Sequence, residues 1–414
     1  MSDEEPPNSE IRALELDRDL PALKRIWREV GWVDDEQSEA QLQHFFGCGD
    51  ALVATLSDEA ECAVHIAPGT MRLQHTDLPL CAVTAVTTSR IARGHAFAQR
   101  LTAQQLAKAV GQGAAVSALG MFDQGFYDKV GFATGAYEHS FSIDPGTLAV
   151  DHQVPTPQRL GLDDYEAMHA AMCTRQKTHG SIVLDPPILF RAELGFEEDD
   201  FGLGYSTEGV LSHFLWLGAK GEHGPYQVRF LCYQNSEQLI VLLGLLKSLA
   251  DQVYSVELTE PAEIQLQTLL RRPFRVRSLT RSSEFSNEQE ADAWWQFRIL
   301  DVPRCVAALS CREAVAFQLQ VSDPLQAQLN SPSGWRGVAG DYEVALGPQS
   351  SAAPGRDPKL PKLRCSVAAL SRLLWGIMPA SSIALTEDLQ APTALLQQLD
   401  QAIVLPPAVS GWDF

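Results

Sequence analysis

The chain has 414 residues, 45% of them hydrophobic and 20% charged, and a formal net charge of −20 at pH 7. That length exceeds one ordinary core, so two or three domains are expected. The shortage of Lys and Arg argues against nucleic acid as a partner, because phosphate contacts dominate such binding, and no run of about 18 apolar residues marks a membrane span.

The opening residues, 1–9, are acidic and polar, which predicts a disordered tail and neither a secretory signal nor a transit peptide. A cytoplasmic protein is expected. A helix follows, with Leu23, Ile26, Trp27 and Val30 on its apolar face and Asp17 or Asp19 as its cap. A second helical stretch, SEAQLQHFFG, precedes three strand-like pieces, ALVATL, ECAVHIAPGTMRL and DLPLCAVTAV. Between the helices lie Trp32, Asp34, Asp35 and Glu36, either a solvated acidic loop or a set of acids placed for a substrate ammonium. The net charge itself suits attraction of an amine-bearing substrate, and it also suits plain solubility.

The chain is organised around residues 81–144. An apolar, β-branched run at 82–88 reads as a strand. A turn with Arg90, Arg93 and Gly94 leads into a helix over 96–110, with Phe97, Leu101, Leu106 and Val110 at helical spacing. Such a strand–turn–helix can hold a pyrophosphate: N–H groups at the helix start point at the anion, and Gly94 allows close backbone approach. The sequence has neither a P-loop nor a G-x-G-x-x-G motif. A strand at 114–121, a short helix carrying Phe126 and Tyr127, and a strand at 137–143 complete the unit.

Pro145, Gly146, Pro155 and Pro157 mark a boundary. Beyond it a helix is expected, with Leu162, Tyr165, Met168 and Met172 on one face, followed by strands HFLWLGAKG and YQVRFLCYQ. QLIVLLGLLKSL reads as a strand passing into a helix, and VYSVELTE as a further strand. The helix-then-sheet order repeats that of the first unit but lacks an Arg/Gly turn. SSEFSNEQEADA reads as a polar linker, and a third α+β unit starts near Trp294. Eight cysteines occur, none in a C-x-x-C pair or a zinc spacing, so buried free thiols and no metal are expected.

The turn Ile91-Ala92-Arg93-Gly94-His95-Ala96 resembles the acetyl-CoA turn of GNAT acetyltransferases, although Ile91 stands where that family has Gln or Arg and the turn is shorter. The VTAV strand, Tyr127 ahead of Gly131-Phe132, the Asp301-Val302-Pro303 entry and the acidic-plus-Phe chain end resemble the Eis family of aminoglycoside/lysine N-acetyltransferases over nearly the full length.

That resemblance implies an α+β protein of two GNAT folds plus a sterol-carrier-protein-like unit. The expected boundaries are 10–149 (catalytic), 150–290 (degenerate) and 291–414. It implies acetyl-CoA as co-substrate, a small-molecule primary amine as acceptor, direct transfer and a homo-hexamer. Tyr127 becomes the general acid and the terminal carboxylate of Phe414 the base. Val86, Thr88, Arg93, Gly94, His95 and Ala96 hold the cofactor; Trp32, Asp34, Thr84, Ala85 and Asp413 face the acceptor. The rivals are a degenerate scaffold binding an apolar ligand and an acetyltransferase acting on protein amines.

Overall fold

The computed structural model describes residues 8–33, 35–150, 154–197, 199–273, 286–329 and 334–412. The order begins β1 (Ser9–Ala13), α1 (Leu16–Val30), α2 (Glu36–Phe46), β2 (Asp50–Leu56), β3 (Glu59–Leu73) and β4 (Thr76–Thr88). It continues with α3 (Phe97–Gly111), β5 (Val116–Gly120), β6 (Ala133–Thr134) and β7 (Glu138–Ile143). Next come β8 (Gln158–Leu160), α4 (Tyr165–Thr174), β9 (Ile182–Leu184), α5 (Pro187–Leu194), β10 (Phe201–Thr207) and β11 (Val210–Ala219). β12 (Tyr226–Cys232), α6 (Ser236–Ser248), β13 (Val256–Thr259), β14 (Glu288–Asp292) and β15 (Trp295–Ile299) follow. The rest is α7 (Val302–Ala307), β16 (Val315–Ser322), α8 (Leu325–Gln328), β17 (Gly340–Leu346), β18 (Ser351–Pro354), β19 (Lys362–Ser366), α9 (Val367–Leu374), α10 (Ala380–Thr386), β20 (Leu389–Gln390) and α11 (Thr393–Ala402).

The strands form three sheets in an α+β protein. The first runs β1-β2-β3-β4-β5-β15-β6, with β9 paired to β3; the second runs β14-β7-β13-β12-β11-β10-β8; the third runs β18-β17-β16-β19-β20. Two of these strands lie outside the units in which the sequence places them. β7 completes the first unit in the chain but pairs with β13 and β14 in the second sheet. β15, read as the start of the third unit, lies antiparallel between β5 and β6 in the first. All five of its residues are buried. In a strand flanked on both edges and covered on both faces, a charge is tolerated only with a partner. Its one charge, Arg298, is therefore paired with buried Asp323 at 2.6 Å.

Of the expected linker, 282–293, residues 282–285 lie outside the described residues, and 288–292 form a strand. β14 is exposed along its whole length and caps the edge of the second sheet; its Glu288, Glu290 and Asp292 discourage further pairing there. The segment 238–249, read as strand passing into helix, is helical throughout 238–248 in α6, with Leu249 as its C-cap; Asn235 caps the start by accepting from Gln238 N at 3.0 Å. In α1, Leu23, Ile26 and Trp27 are buried as their spacing predicts. Neither Asp17 nor Asp19 sits at the N-cap, which is Glu15; buried Asp19 instead binds Arg12 through both oxygens and accepts from Glu15 N at 2.9 Å.

Candidate active site

β4 is the element that joins two recesses. On one side it pairs with β3 along its whole length, from Leu73↔Thr76 to Cys62↔Thr88. On the other it pairs in parallel with β5 only over Leu80↔Val116 to Ala82↔Ala118. Past Ala82 the two strands part, so the backbone of 83–88 presents an edge that β5 does not use. Unpaired strand backbone seeks a partner, and an extended amide-bearing arm satisfies it. Val86 and Thr88 lie half-buried on this stretch.

Beyond Thr88 the chain makes a 3-10 turn, Arg90–Ala92, and enters α3. Gly94 has φ +86°, and a Cβ there meets nothing within 4 Å, so its left-handed backbone, rather than crowding, is what calls for glycine. Ala96 stands at the helix N-cap with no capping side chain, and Arg93, Gly94, His95 and Ala96 are all exposed. The first turn of α3 therefore offers N–H groups to an anion. Arg90 is engaged elsewhere: its backbone N donates to Glu29 Oε2 at 3.0 Å and its guanidinium to Glu29 O at 3.2 Å. The Arg90 N–H holds the Glu29 carboxyl below its ordinary value against the opposing effect of burial, with a lesser contribution from Arg25.

The second sheet repeats the strand–helix–parallel-strand crossover as β12-α6-β13, but Asn235 occupies the helix cap with its own side chain. An anion at that terminus would have to displace the Asn235 side chain. The start of α6 differs in this from the uncapped start of α3.

Tyr127 opens a 3-10 turn, Tyr127–Val130, after β5. It is 3% exposed and packs edge-on against Phe122, Phe126 and Phe132. Burial, and then the neighbouring Cys62 thiol, pushes its hydroxyl above the ordinary tyrosine value. Cys62 Sγ lies 3.2 Å from Thr88 Oγ1, so Tyr127 sits toward the open end of β4.

The acceptor side is a cavity of about 320 Å³ between the first and second sheets. Trp27, Trp32 and Phe45 come from the first unit, and Glu193, Phe196, Glu197, Asp200, Trp216, Arg229 and Phe230 from the second. Thr84 forms its floor. The lining holds three carboxylates and one guanidinium, and Arg229 pairs with two of them, Asp200 at 3.2 Å and Glu197 at 3.7 Å. Burial raises the Asp200 carboxyl, and Arg229 opposes that. A neighbouring recess adds Asp35, Asp199 and Lys220. Aromatic walls with surplus carboxylate suit a cation.

Of the sequence-predicted acceptor residues, Trp32 and Thr84 line this cavity. Ala85 is buried in the core on the α1/α2 side and does not. Asp34, Asp413 and Phe414 lie outside the described residues. The chain is nevertheless traced to Trp412, whose buried indole meets the rings of Phe190 and Phe230 at 5.6 and 5.9 Å and donates to Glu193 at 3.4 Å. Phe230 and Glu193 are cavity residues. Glu138 holds this tail by accepting from Ser410 N and Oγ, each at 2.9 Å, and Arg175 donates to Gly411 O at 3.1 Å. Sequence reading missed the second-lobe wall altogether; the Glu193–Asp200 acids sit in one short acidic run, the only local signal available.

Among the described residues no group of three His, Cys, Asp or Glu is arranged to hold a metal ion, and no helix is long and apolar enough to cross a membrane. Residues 10–135 match the family model of the acetyltransferase (GNAT) domain. No curated protein sequence matches the chain. Among solved structures it is similar to Eis1 from Mycobacterium abscessus, at 16% identity, 98% of this chain, 100% of that one and a TM-score of 0.74. A GCN5-related N-acetyltransferase from Anabaena variabilis ATCC 29413 aligns at 16% identity over 96% and 98% of the two chains, with a TM-score of 0.76. A conserved Enterococcus faecalis V583 protein of unknown function, titled a probable N-acyltransferase, aligns at 14% over 96% and 98%, with a TM-score of 0.76. At such identities the likeness is one of fold.

Proposed function

We infer that this protein, an acyltransferase with an N-terminal GNAT acetyltransferase domain in an Eis-like fold, moves an acetyl group from acetyl-CoA directly to a primary amine of a small aminoglycoside-like or lysine-like molecule. One observation carries the reading: a single strand, β4, has a free edge toward the donor cleft and sets Thr84 in the floor of a carboxylate-rich cavity. Donor and acceptor recesses thus meet across one backbone.

In this reading the edge at Val86 and Thr88 pairs with the pantetheine amides, while Arg93, Gly94, His95 and Ala96 receive the pyrophosphate. Trp32 and Thr84 border the amine, and Asp34 and Asp413 join them by resemblance. The terminal carboxylate of Phe414 takes the amine proton, directly or through water; the path of the tail to Trp412, which packs against the cavity residues Glu193 and Phe230, supports this. The amine attacks the thioester carbonyl, the C–S bond breaks, and Tyr127 gives its proton to the departing thiolate. A phenol whose ionisation is suppressed by burial serves as that donor and not as a base. A hexameric assembly, a cytoplasmic location and a sterol-carrier-like third unit belong to the same reading by resemblance.

The test is CoA-thiol release with kanamycin A and with Nα-acetyl-lysine amide as acceptors. Turnover that needs both acetyl-CoA and an amine supports the reading. Absence of turnover, with no thermal shift at millimolar acetyl-CoA, refutes it.

A further inference from the structure

We propose that His65 is a positioning residue that fixes the hydrogen-bond polarity of Thr84, so that Thr84 Oγ1 meets the substrate amine as an acceptor. This rests on the amine-acetylating reading above and adds to it a residue outside both recesses.

His65 is on β3, fully buried between Phe45 and Phe46, with ring centroids 4.9 and 5.7 Å away. Its two nitrogens have different partners: Nε2 faces the carbonyl oxygen of Cys48, and Nδ1 lies 2.6 Å from Thr84 Oγ1. A carbonyl oxygen only accepts, so Nε2 must carry the proton. The neutral ring then has an unprotonated Nδ1, and the Thr84 hydroxyl must donate to it. Its proton committed, Thr84 Oγ1 has only lone pairs left for the cavity. An oxygen so arranged takes an N–H from an amine and orients the nitrogen lone pair.

The backbone is built around this contact. Gly49 has φ +72°, and a Cβ there would lie 2.7 Å from His65 Nε2 and 2.3 Å from Ile66 O; only glycine lets the Cys48 carbonyl reach the ring. On the other side the β3–β4 register slips between His65↔Ala85 and Ile66↔Val83, leaving Thr84 as the extra residue of a bulge. Bulges re-aim side chains beside active sites, and here one turns Thr84 toward both His65 and the cavity. Burial lowers the imidazole to about 4, so the ring stays neutral at working pH.

The amides of Asn and Gln separate the two contacts. His65→Asn places an acceptor near the Nδ1 position and keeps the Thr84 bond; His65→Gln reaches the Nε2 position and keeps the Cys48 bond alone. On kanamycin A, His65→Gln is expected to raise KM for the amine about tenfold with KM for acetyl-CoA unchanged, and His65→Asn to stay within about threefold of wild type. In a Thr84→Val background, His65→Gln should add nothing further. Equal losses in both His65 variants, or additive losses with Thr84→Val, overturn the proposal. A second readout needs no turnover: 15N spectra of histidine-labelled protein should show the Nε2–H tautomer, with the Nδ1 resonance moving in Thr84→Val. An Nδ1–H tautomer or an imidazolium at pH 7 overturns it, even where the wild type acetylates nothing and the functional reading itself has failed.

Discussion

Trp412 donates its indole N–H to Glu193 at 3.4 Å, so the last described residue of the chain rests on a residue that lines the amine cavity. Removing Phe414, or adding residues after it, is expected to lower kcat about 100-fold, the scale of a lost general base, with KM for acetyl-CoA unchanged. Steady-state kinetics on both variants checks this; full activity in an extended chain removes the carboxylate from the mechanism.

The tail is held by buried Glu138, which also accepts from Trp294 Nε1 at 3.2 Å. Glu138→Ala removes the acceptor of Ser410 N, Ser410 Oγ and the Trp294 indole; Ser410 Oγ keeps Trp412 O at 3.4 Å, so the cost centres on the buried Ser410 N, at about 1–3 kcal/mol. A lower Tm and a lower kcat are expected together. Glu138→Gln retains one acceptor oxygen and should recover part of both. Unchanged kcat in Glu138→Ala would separate tail anchoring from turnover.

Tyr127→Phe deletes a hydroxyl and leaves the aromatic cluster with Phe122, Phe126 and Phe132 in place. A loss of about 100-fold in kcat is expected, with an unaltered acetyl-CoA thermal shift. Since burial raises the phenol, kcat should show no alkaline limb at the ordinary tyrosine value of about 10. The sign for stability follows: the contribution of Tyr127 is intact below about pH 10 and is lost as pH rises toward the folded value. A decline of kcat centred below pH 10 that vanishes in Tyr127→Phe would contradict this environment.

What the sequence reveals depends on range. The 3.6-residue spacing of Leu23, Ile26 and Trp27, the strand at 82–88 and the Gly94 turn are local, and each was legible. The placement of β15 between β5 and β6, the transfer of β7 to the second sheet and the meeting of Thr84 with Phe230 are not local. They follow from which apolar edges are left after each unit folds, and no spacing rule encodes that. The Thr84–His65 contact is of the same kind, since it depends on a bulge that shifts register by one residue.

The contrast between the α3 and α6 helix starts yields a prediction for acetyl-CoA. Ala96 leaves the α3 terminus uncapped, whereas Asn235 fills that of α6. Ala96→Asp puts a carboxylate where the pyrophosphate is proposed to bind, and Asp tolerates the left-handed φ of +54° found there. KM for acetyl-CoA should rise at least about tenfold by like-charge repulsion and competition for the N–H groups, with kcat at saturation little changed. An unaltered KM would move the phosphate site away from this turn.

Acid stability tests the burial of His65 independently of catalysis. Its folded value is about 4 against an ordinary 6.5, so the unfolded chain takes up the proton first. The contribution is therefore complete above about pH 6.5 and is lost as pH falls toward 4. His179 and His213 are shifted downward by burial as well, and Glu138 is raised, so the wild-type curve alone does not isolate one group. The difference from His65→Asn does, because Asn does not titrate. Between pH 6.5 and 5 the wild type should lose about 1.6 kcal/mol more than the variant, since the slope reaches 1.36 kcal/mol per unit only once the unfolded imidazole is fully protonated, measured by urea unfolding at each pH. Parallel curves for the two proteins would mean that His65 is charged or solvated in the folded state, and its neutral tautomer could not then orient Thr84.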